Sequence, residues 1–549
     1  MLFRSVRDAH TLAIGAAGDP TTPEERRALV TAVDALLEQL VAVGNRQYDN
    51  TYIFSGHQGG RQPFELLADG VLYRGDDGRL MTILDSDLSQ DSFTLSGKEV
   101  FRAVSSSVAG FRDLDPRMTA ETRIKDLNGA AGNGVKLGTI VVTSGNQQIP
   151  IDLSGADTIG DVITILNDKL PAGVSAVLAP EAIHLVGGPE IAIDETPGGQ
   201  TATDLGIRTD GAVSQVIGLD LDPRVTERTN LRDLIGGAGV DLTGGLTIRN
   251  GSRAVTFNFS TAGTVEDVLN AINKSDTGVW ARVAADGKRL EVFSRVSGAP
   301  LSIEENGGSA ATQLGIRSMY GGRRLAALND GTGIATVGGN DLRISTASGL
   351  NIDVDLDALD LSKATLADVL ALINTAGGGA VTASLATQGN GIVITDNTTG
   401  GGALRITRLN LSPAIDGLGL NVEAQGNRLV GRDVNPIITD SAFTGLRELR
   451  QALDADDSNG ISRAAVRLKR VLDDMQEVQG RLASKARGVL ERELRVDGEL
   501  ASTQVLLSDV RDVDFTEAIV SFQKFQLALQ ANLATGSRAF DLSLIDFLR

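Results

Sequence analysis

The chain has 549 residues, 42% of them hydrophobic and 22% charged, and its formal net charge is −19. One hydrophobic core rarely organises so long a chain, so several domains are expected. The acidic balance argues against a nucleic-acid partner, because phosphate binding requires a concentrated basic surface. With no Cys, disulfides and thiolate metal sites are excluded. No apolar run reaches the roughly 18 residues of a membrane span, so no membrane insertion is predicted.

The N-terminal region predicts a helix and then a short strand. Thr22 can cap the helix, Pro23 fits its first turn, and two glutamates follow. Apolar residues then recur at three- and four-residue steps, at Leu29, Val33, Leu36, Leu40 and Val43. Residues 52–54 before Ser55 and Gly56 are typical of a strand that leads into a turn.

The middle of the chain repeats itself three times. Residues 158–167, 264–273 and 365–374 each start with Thr, continue as an apolar helical pattern and end with Asn. Asp126 with Leu127 matches Asp233 with Leu234, and residues 205–208 match 314–317. Repeated units are therefore predicted at about 119–218, 226–320 and 329–420.

Each repeated unit predicts the same order of elements. Two alternating strands come first, 139–143 and 148–153 in the first unit, and a short helix follows. Its Thr cap has an Asp three residues on, as in a capping box. Two more strands complete a ββαββ-like pattern. A period near 100 residues is too long for a solenoid turn, which favours compact domains in series.

The C-terminal region predicts two helices, from Ile461 to about Leu500 and from about Asp514 to Leu533. The first has a seam at Leu468, Leu472, Met475, Leu482, Val489 and Leu500. The second carries an apolar face, which the last residues continue. Burying six such side chains contributes roughly 9–18 kcal/mol as an upper bound, so this helix needs a partner. The predicted assembly residues are Phe515, Ile519, Phe522, Phe525, Leu529, Leu533, Leu542, Leu544, Ile545, Phe547 and Leu548.

The two ends together resemble the flagellin and hook-associated protein family. The C-terminal similarity lies in residues 508–518, which resemble the acidic start of the family's last helix, and in the closing residues 542–548. Residues 478–482 resemble a turn of the family's outer coiled-coil helix. At the other end, residues 45–56 resemble the same family. Pro63, Phe64 and residues 73–79 resemble its type 3 hook-associated members more than flagellin.

The repeated units resemble flagellin hook insertion domains. With this resemblance the predicted class is multidomain α+β, with a helical coiled-coil stem from both chain ends and three β-rich insertion modules. The predicted domains are an N-terminal stem helix and hairpin, a β-rich connector, three insertion repeats and a C-terminal helical stem, at 1–64, 65–118, 119–218, 219–328, 329–430 and 431–549.

The resemblance implies a non-enzymatic structural subunit of the bacterial flagellum. It implies an adapter at the hook–filament junction, with a hook-associated protein 1-type junction protein and flagellin as partners. It further implies self-association in a ring, an export chaperone, and an extracellular location reached through the flagellar type III system without a cleaved signal peptide. No cofactor is expected. A flagellin with enlarged outer domains and a surface adhesin are the alternatives.

One departure from the family concerns the N-terminus. Family members begin with a long helix that pairs with the C-terminal one, whereas residues 1–17 resemble the tail of a second helix. A late start codon and a truncated gene each account for this. The apolar face retained from Phe515 to Leu548 favours the late start codon.

Other motifs favour ordinary structure over chemistry. The acidic run Asp353, Asp355, Asp357 and Asp360 lacks the glycine and terminal glutamate of an EF-hand, and it is interpreted as a solvated strand edge. The glycines at 132–134 and 236–239 have no following Gly-Lys-Ser/Thr and are interpreted as turns. The three histidines are scattered, so neither a catalytic site nor a metal site is predicted.

Overall fold

The computed structural model describes residues 2–18, 22–79, 81–83, 90–92 and 95–547. The chain divides into two compact units, Met1–Asp473 and Asp474–Arg549. Helix accounts for 38% and strand for 21%, and the C-terminal helix is long. This mixed content confirms the α+β class in its general form.

The described residues of the N-terminal part form three helices and seven short strands. Its elements are α1 (Leu2–Ala17), α2 (Pro23–Gly44), β1 (Gln47–Tyr48), β2 (Thr51–Tyr52), β3 (Phe64–Leu66), β4 (Val71–Tyr73), β5 (Met81–Ile83), β6 (Gln90–Ser92), α3 (Gly97–Phe101) and β7 (Val108–Ala109). The predicted start of α2 is confirmed. Glu25 N donates to Thr22 Oγ1 at 3.3 Å, and Thr22 N donates to Glu25 Oε2 at 2.8 Å.

Three segments follow, and we call residues 119–218, 219–328 and 329–430 segments 1, 2 and 3. Segment 1 contains β8 (Thr139–Ser144), β9 (Gln147–Asp152), α4 (Ile159–Lys169), β10 (Ser175–Leu178), β11 (Ile183–Val186), β12 (Ala192–Glu195) and α5 (Thr201–Asp204). Segment 2 contains β13 (Leu246–Asn250), β14 (Arg253–Phe257), α6 (Val265–Asn273), β15 (Val279–Val283), β16 (Leu290–Ser294), β17 (Val296–Ser297), β18 (Pro300–Asn306) and α7 (Ala310–Gln313).

Segment 3 and the C-terminal part complete the chain. Their elements are α8 (Leu328–Gly331), β19 (Leu342–Ser345), β20 (Asn351–Val354), α9 (Leu366–Gly377), β21 (Val381–Leu385), β22 (Gln388–Gly389), β23 (Ile392–Asp396), β24 (Arg405–Arg408), α10 (Ala414–Gly417), β25 (Arg428–Val430), β26 (Ile437–Ile438), α11 (Ala442–Asp454) and α12 (Ser458–Phe547). The chain also has short 3-10 helices at Ile124–Asp126, Leu231–Asp233, Leu325–Ala327 and Leu356–Ala358.

Each segment has more strands than the four of the predicted ββαββ pattern: five in segment 1, six in segment 2 and seven in segment 3. In the antiparallel strand orders β12-β8-β9, β18-β13-β14 and β24-β19-β20, the second of which belongs to a five-stranded sheet, the first hairpin strand lies in the middle, and a strand from beyond the helix pairs with its other edge. These added strands are partly polar and lack a clean alternation. The positions of these strands therefore depend on backbone pairing with the edge of the hairpin and not on side-chain periodicity.

An asparagine amide joins the helix of each segment to the next strand. Asn167 Nδ2 donates to Ala176 O at 3.0 Å, and Ala176 N donates back to Asn167 Oδ1 at 2.7 Å. The same pair of bonds connects Asn273 to Ala281 in segment 2 and Asn374 to Ala383 in segment 3. The predicted capping boxes are present at the start of α4, α6 and α9.

Three separate apolar cores lie in the three segments, and the connecting residues cross between two of them. Leu114 packs in the core of segment 2, and Met118, four residues on, packs in that of segment 1. On the return path Leu221 packs in segment 1 and Val225 in segment 2. Two chain passages of opposite direction therefore fasten segments 1 and 2 together.

Segment 2 is completed by strands from outside it. Strand β7 pairs with β16, and both β22 and β26 pair with β18. These three strands are two residues long each. So short a strand has no periodicity to read in the sequence, and its position depends on the sheet that it joins.

Replacing the segment 3 amide, Asn374→Ala, is expected to destabilise segment 3 by about 1–3 kcal/mol, because Ala383 loses both partners of its backbone N–H and C=O. Hydrogen exchange of residues 381–385 measures the loss. The matched control is Asn133→Ala in an exposed loop, for which protection should not change. Equal protection in the two variants would show that the amide is dispensable.

A carboxyl group at the crossing between segments 1 and 2 is set to titrate near neutral pH. Burial raises the pKa of Asp115 to about 6, and the neighbouring charges of Glu181, Asp113 and Asp220 add to the shift. Asp115 also has a positive φ of 31°, a conformation that asparagine tolerates. The folded chain therefore favours the protonated form of this group.

This raised pKa gives a pH dependence of known sign. The stabilising effect of protonation is present at acidic pH and is lost as the pH rises through 6. Asp115→Asn should remove this part of the dependence and be more stable than the wild type at pH 7 by about 1 kcal/mol, after allowance for solvent screening. Denaturation at pH 4 and pH 7 measures the difference. The exposed Asp210→Asn should show none, and an identical pH dependence for wild type and Asp115→Asn would contradict the assignment.

Candidate assembly interface

The C-terminal region forms one continuous helix, α12 (Ser458–Phe547), where the sequence predicted two. The prediction of a break before Asp514 is therefore wrong. The sequence from Ser458 to the end has no Pro, and Leu, Ala, Arg, Glu and Gln, all good helix formers, are frequent in it. The acidic motif at 508–518, interpreted as a helix start, consequently lies inside the helix.

Apolar side chains of α12 change from buried to exposed along its length. Leu468 and Met475 are buried, as the predicted seam requires. From Leu482 onward the apolar side chains of the seam are exposed, including Val489 and Leu500. Only the first three residues of the seam, Leu468, Leu472 and Met475, are therefore buried.

The C-terminal apolar stripe is the predicted set Phe515, Ile519, Phe522, Phe525, Leu529 and Leu533. These six side chains are 43–76% exposed in the single chain. Phe515, Phe522 and Leu529 are spaced by seven residues, and Phe525 lies between them at a spacing typical of a coiled-coil seam. The remaining predicted residues lie at the end of the chain. The last turns of α12 contain Leu542, Leu544, Ile545 and Phe547, whose side chains are outside the described part of the structure, and Leu548 lies wholly outside it.

The stripe is too large to stay in water without cost. A large apolar side chain gains about 1.5–3 kcal/mol on full burial, and the stripe has six of them. Exposed contiguous apolar surface of this kind marks an interaction site in a folded protein. A second helix, laid along the stripe with its own apolar face inward, is the geometry that buries it.

The base of α12 is fixed by a buried arginine. Arg467 donates to Glu448 at 2.7 Å, to Asp440 at 2.6 Å and to Asp330 at 2.5 Å. Burial opposes ionisation of Asp440, but the charge of Arg467 and the hydrogen bond from Arg470 outweigh it and lower the pKa of that carboxyl. This charged cluster joins α12 to α11 and to segment 3.

The family-like residues of the N-terminal part meet a C-terminal residue in an aromatic cluster. Phe64 lies 4.8 Å from Phe101 and 5.1 Å from Phe443, and Phe443 stacks on Phe101 at 5.4 Å between centroids. Phe54 and Tyr73 extend the cluster. Sequence reasoning identified Phe64 and Tyr73 but did not find Phe101 or Phe443, for which no motif gives a signal.

Hydrogen bonds between three pairs of residues hold the same corner. Asn45 Nδ2 donates to Phe64 O at 2.8 Å, and Phe64 N donates to Asn45 Oδ1 at 2.9 Å. The Tyr73 hydroxyl accepts from Gly97 N at 2.9 Å, and burial raises the pKa of Tyr73 well above its usual range. Arg295 of segment 2 donates to Tyr73 O at 2.9 Å. Of the residues that carry the family resemblance, Asn45, Phe64 and Tyr73 of the N-terminal part are thus packing residues of one corner.

The acidic run does not form the continuous strand edge that its alternation predicted. Strand β20 ends at Val354, and Asp353 pairs with Arg343 on the neighbouring strand at 2.6 Å. Asp355 caps the following 3-10 helix. Carboxylate oxygens of Asp355, Asp357 and Asp341 lie close together, but Asp341 already accepts hydrogen bonds from Ser412 and Leu356. This cluster is accounted for by structural hydrogen bonds.

The glycine loops and histidines have ordinary structural positions. Gly132, Gly134 and Gly236 have positive φ values of 72°, 82° and 62°, as turn glycines do. His57 lies 3.6 Å from Asp76, and His184 Nδ1 accepts from the backbone of Gly218 at 3.1 Å. Among the described residues, no helix has the length and apolarity to cross a membrane.

No protein-family model and no curated protein matches the chain. Several solved structures are similar in part. FlgL from Xanthomonas campestris is 21% identical over 34% of this chain and 60% of its own, with a TM-score of 0.18. The flagellar hook associated protein-3 from Legionella pneumophila is 19% identical over 40% of this chain and 64% of its own, with a TM-score of 0.18.

The flagellar cap protein FliD from Helicobacter pylori is 14% identical over 61% of this chain and 84% of its own, with a TM-score of 0.11. The chain thus spans less than two thirds of the first of these structures, the FlgL of Xanthomonas campestris. TM-scores this low do not carry a functional conclusion, which depends on the residues and their geometry.

A substitution within the stripe should leave the stability of the single chain unchanged. Phe522 is 65% exposed and Leu468 fully buried. Phe522→Ser is expected to change the free energy of unfolding by less than about 0.5 kcal/mol, whereas Leu468→Ala should cost about 2–5 kcal/mol through the cavity that it leaves. Thermal unfolding of the dilute chain measures both. A large loss in Phe522→Ser would mean that the stripe packs within its own chain.

Proposed function

We propose that this chain is a structural subunit of the bacterial flagellum and acts as an adapter at the hook–filament junction. In this role it joins a hook-associated protein 1-type junction protein on the hook side to the first flagellin subunits. The observation that carries the proposal is the C-terminal apolar stripe, which lies exposed on a long helix whose sequence resembles the last helix of the flagellin and hook-associated family.

The stripe favours a role in an assembly of several chains over a role as an isolated protein. Its six side chains recur at helical spacing, so they can lock the register of a partner helix. Their burial on assembly offsets part of the entropy lost when subunits associate. The predicted continuation from Leu542 to Leu548 belongs to the same proposed interface.

We further propose that segments 1, 2 and 3 are copies of one insertion module and that the predicted domain boundaries apply. Two shared features support this. Each segment has a Thr-capped helix with an Asp in its capping box, and each helix ends in an Asn that binds the next strand through two hydrogen bonds. A common origin of the three segments accounts for this matched pair of features better than three independent occurrences by chance do.

The proposed location is extracellular, after export by the flagellar type III system with the help of a chaperone, and the proposed assembly is a ring. The proposed role is not enzymatic. In the described part of the chain the histidines stand apart from one another, and of the acidic run Asp353 is used in an ion pair and Asp355 in a helix cap.

The variant Phe515→Ser, Phe522→Ser and Phe525→Ser in one chain should give cells with hooks but without filaments, because the helix partner loses its three largest anchors. Electron microscopy and the flagellin content of the medium measure this outcome. The control with Leu350→Ser, an exposed apolar residue of segment 3, should form normal filaments. Normal filaments in the triple variant would contradict the proposal.

Copy number separates the junction protein from its alternative, a flagellin with enlarged outer domains. A junction protein is a trace band of a sheared filament, while a flagellin is the main band. Deletion of residues 119–420 tests the adhesin alternative, which requires loss of adhesion with filaments intact.

A further inference from the structure

The central sheets of the three segments differ in how their outer edge is closed. Ile193, Ile303 and Ile406 correspond, because each lies in the edge strand beyond the helix and pairs with a fully buried residue of the first hairpin strand. Ile193 and Ile303 are themselves fully buried. Ile406 is only partly buried at the same position of the same kind of sheet. The edge of β24 is therefore less covered than the edges of β12 and β18.

In segment 1 the chain closes this edge itself. Thr209 comes four residues after Leu205, the leucine that follows helix α5. Its N donates to Ile193 O at 3.0 Å, and its Oγ1 accepts from Ile193 N at 2.9 Å. Further along the same edge, Ile191 and Val213 exchange two backbone hydrogen bonds of 2.9 and 2.8 Å. The outward backbone groups of Ile193 are thus satisfied within segment 1.

In segment 2 the same edge is closed in two ways. Ser318 corresponds to Thr209: its N donates to Ile303 O at 3.1 Å, and its Oγ accepts from Ile303 N at 3.0 Å. Two strands from outside the segment proper, β22 and β26, pair with other residues of the same strand, β18. Each of them is two residues long. An edge of this kind therefore receives short extended segments from elsewhere in the chain.

In segment 3 the residue that closes the edge is replaced. Val422 comes four residues after Leu418, where segments 1 and 2 have a hydroxyl side chain. Its N donates to Leu420 O at 2.9 Å and not to the edge strand. Strand β24 pairs with β19, and among the described residues no backbone hydrogen bond is made to its other edge. We call the outer side of residues 405–408 the open edge.

The open edge presents unpaired backbone groups. The backbone of Ile406 faces outward, as that of its counterparts in segments 1 and 2 does, and the alternation of an antiparallel ladder turns the backbone of Arg408 outward as well. A row of free N–H and C=O groups is a template for a further strand. The side chains of Arg405, Thr407 and Arg408 are exposed, so the approach to this edge is open to solvent.

The charge beside the open edge selects the kind of strand that fits. Arg408 forms an ion pair with Asp416, whereas Arg405 has no carboxylate within ion-pair distance among the described residues. An acidic residue of an added strand can pair with Arg405, because opposite charges on adjacent strands stabilise a sheet. Two copies of β24 would place arginines beside arginines, which is unfavourable. The net charge of −19 is spread over the chain and screened over about 8 Å at physiological salt, so the local charges decide.

We propose that the open edge of segment 3 binds an extended acidic segment of a partner protein by strand addition. The backbone of Ile406 and Arg408 supplies the hydrogen bonds, and Arg405 selects the acidic side chain. The contact is of the same kind as that of β22 with β18, where a strand of two residues joins an existing sheet. The inference is independent of the proposed role at the hook–filament junction, which concerns helix α12.

Because the chain has no Cys, a single cysteine beside the open edge can report weak binding of a strand. Full-length Thr407→Cys is equilibrated in a thiol–disulfide buffer with the peptides Cys-Val-Asp-Val-Asp and Cys-Val-Lys-Val-Lys, and the fraction of chain joined to each peptide is measured. The acidic peptide should be joined severalfold more than the basic one. The matched control is Thr399→Cys in an exposed loop of segment 3, which should show no such preference. The same preference at both positions, or none at position 407, would overturn the proposal.

Two further variants of the Thr407→Cys chain separate the backbone contact from the charge. Arg408→Pro removes an outward N–H, and a strand edge tolerates proline where that N–H faces solvent. Joining of the acidic peptide should fall severalfold relative to Arg408→Ala, which loses the same charge but keeps the N–H. Equal joining in these two variants would exclude strand addition.

The charge itself is tested by Arg405→Glu in the same chain, which should reverse the preference between the two peptides. An unchanged preference would refute the role of Arg405. Disulfide-linked dimers of Thr407→Cys that form without peptide, in higher yield than those of Thr399→Cys, would assign the open edge to a second copy and overturn the choice of partner.

Discussion

The packing of Phe443 against Phe64 and Phe101 is the contact on which the compact unit Met1–Asp473 depends. It joins residues that are more than 340 positions apart in the sequence. This contact joins the N-terminal part of the unit to its C-terminal part. The chain therefore leaves for the three segments and returns from them at one place. The loop-closure entropy of so long an insertion grows only slowly with its length, so a closed aromatic corner can hold it.

Segment 2 extends this closure into the inserted region. It receives β7 on the way out from the corner and β26 on the way back. The crossing residues Leu114 and Leu221 then fasten segment 1 to it. Each connection consists of two chain passages, and a double passage restricts hinge motion more than a single linker does. The charged cluster around Arg467 ties helix α12 to this arrangement at its base.

Much of the local structure was predictable, because it depends on neighbours in the sequence. The capping boxes at Thr22 and at the start of α4, α6 and α9 need only residues three positions apart. The exposed stripe from Phe515 to Leu533 follows from helical periodicity in the same way. The predicted break before Asp514 failed for a physical reason: a change in the character of a motif does not end a helix when nothing in the backbone opposes its continuation.

The sequence by itself determined the capped helices α2, α4, α6 and α9, the β-rich character of the middle of the chain, and the apolar stripe, since each is a matter of spacing along the chain. Only the tertiary structure decided that β12, β18 and β24 add to a hairpin edge, that segment 2 borrows strands from its neighbours, and that Phe443 closes the corner. It also decided that Leu411, which is 87% exposed, has a positive φ of 59°. Contacts between distant residues and backbone dihedral angles are properties of the folded chain, and no local spacing encodes them.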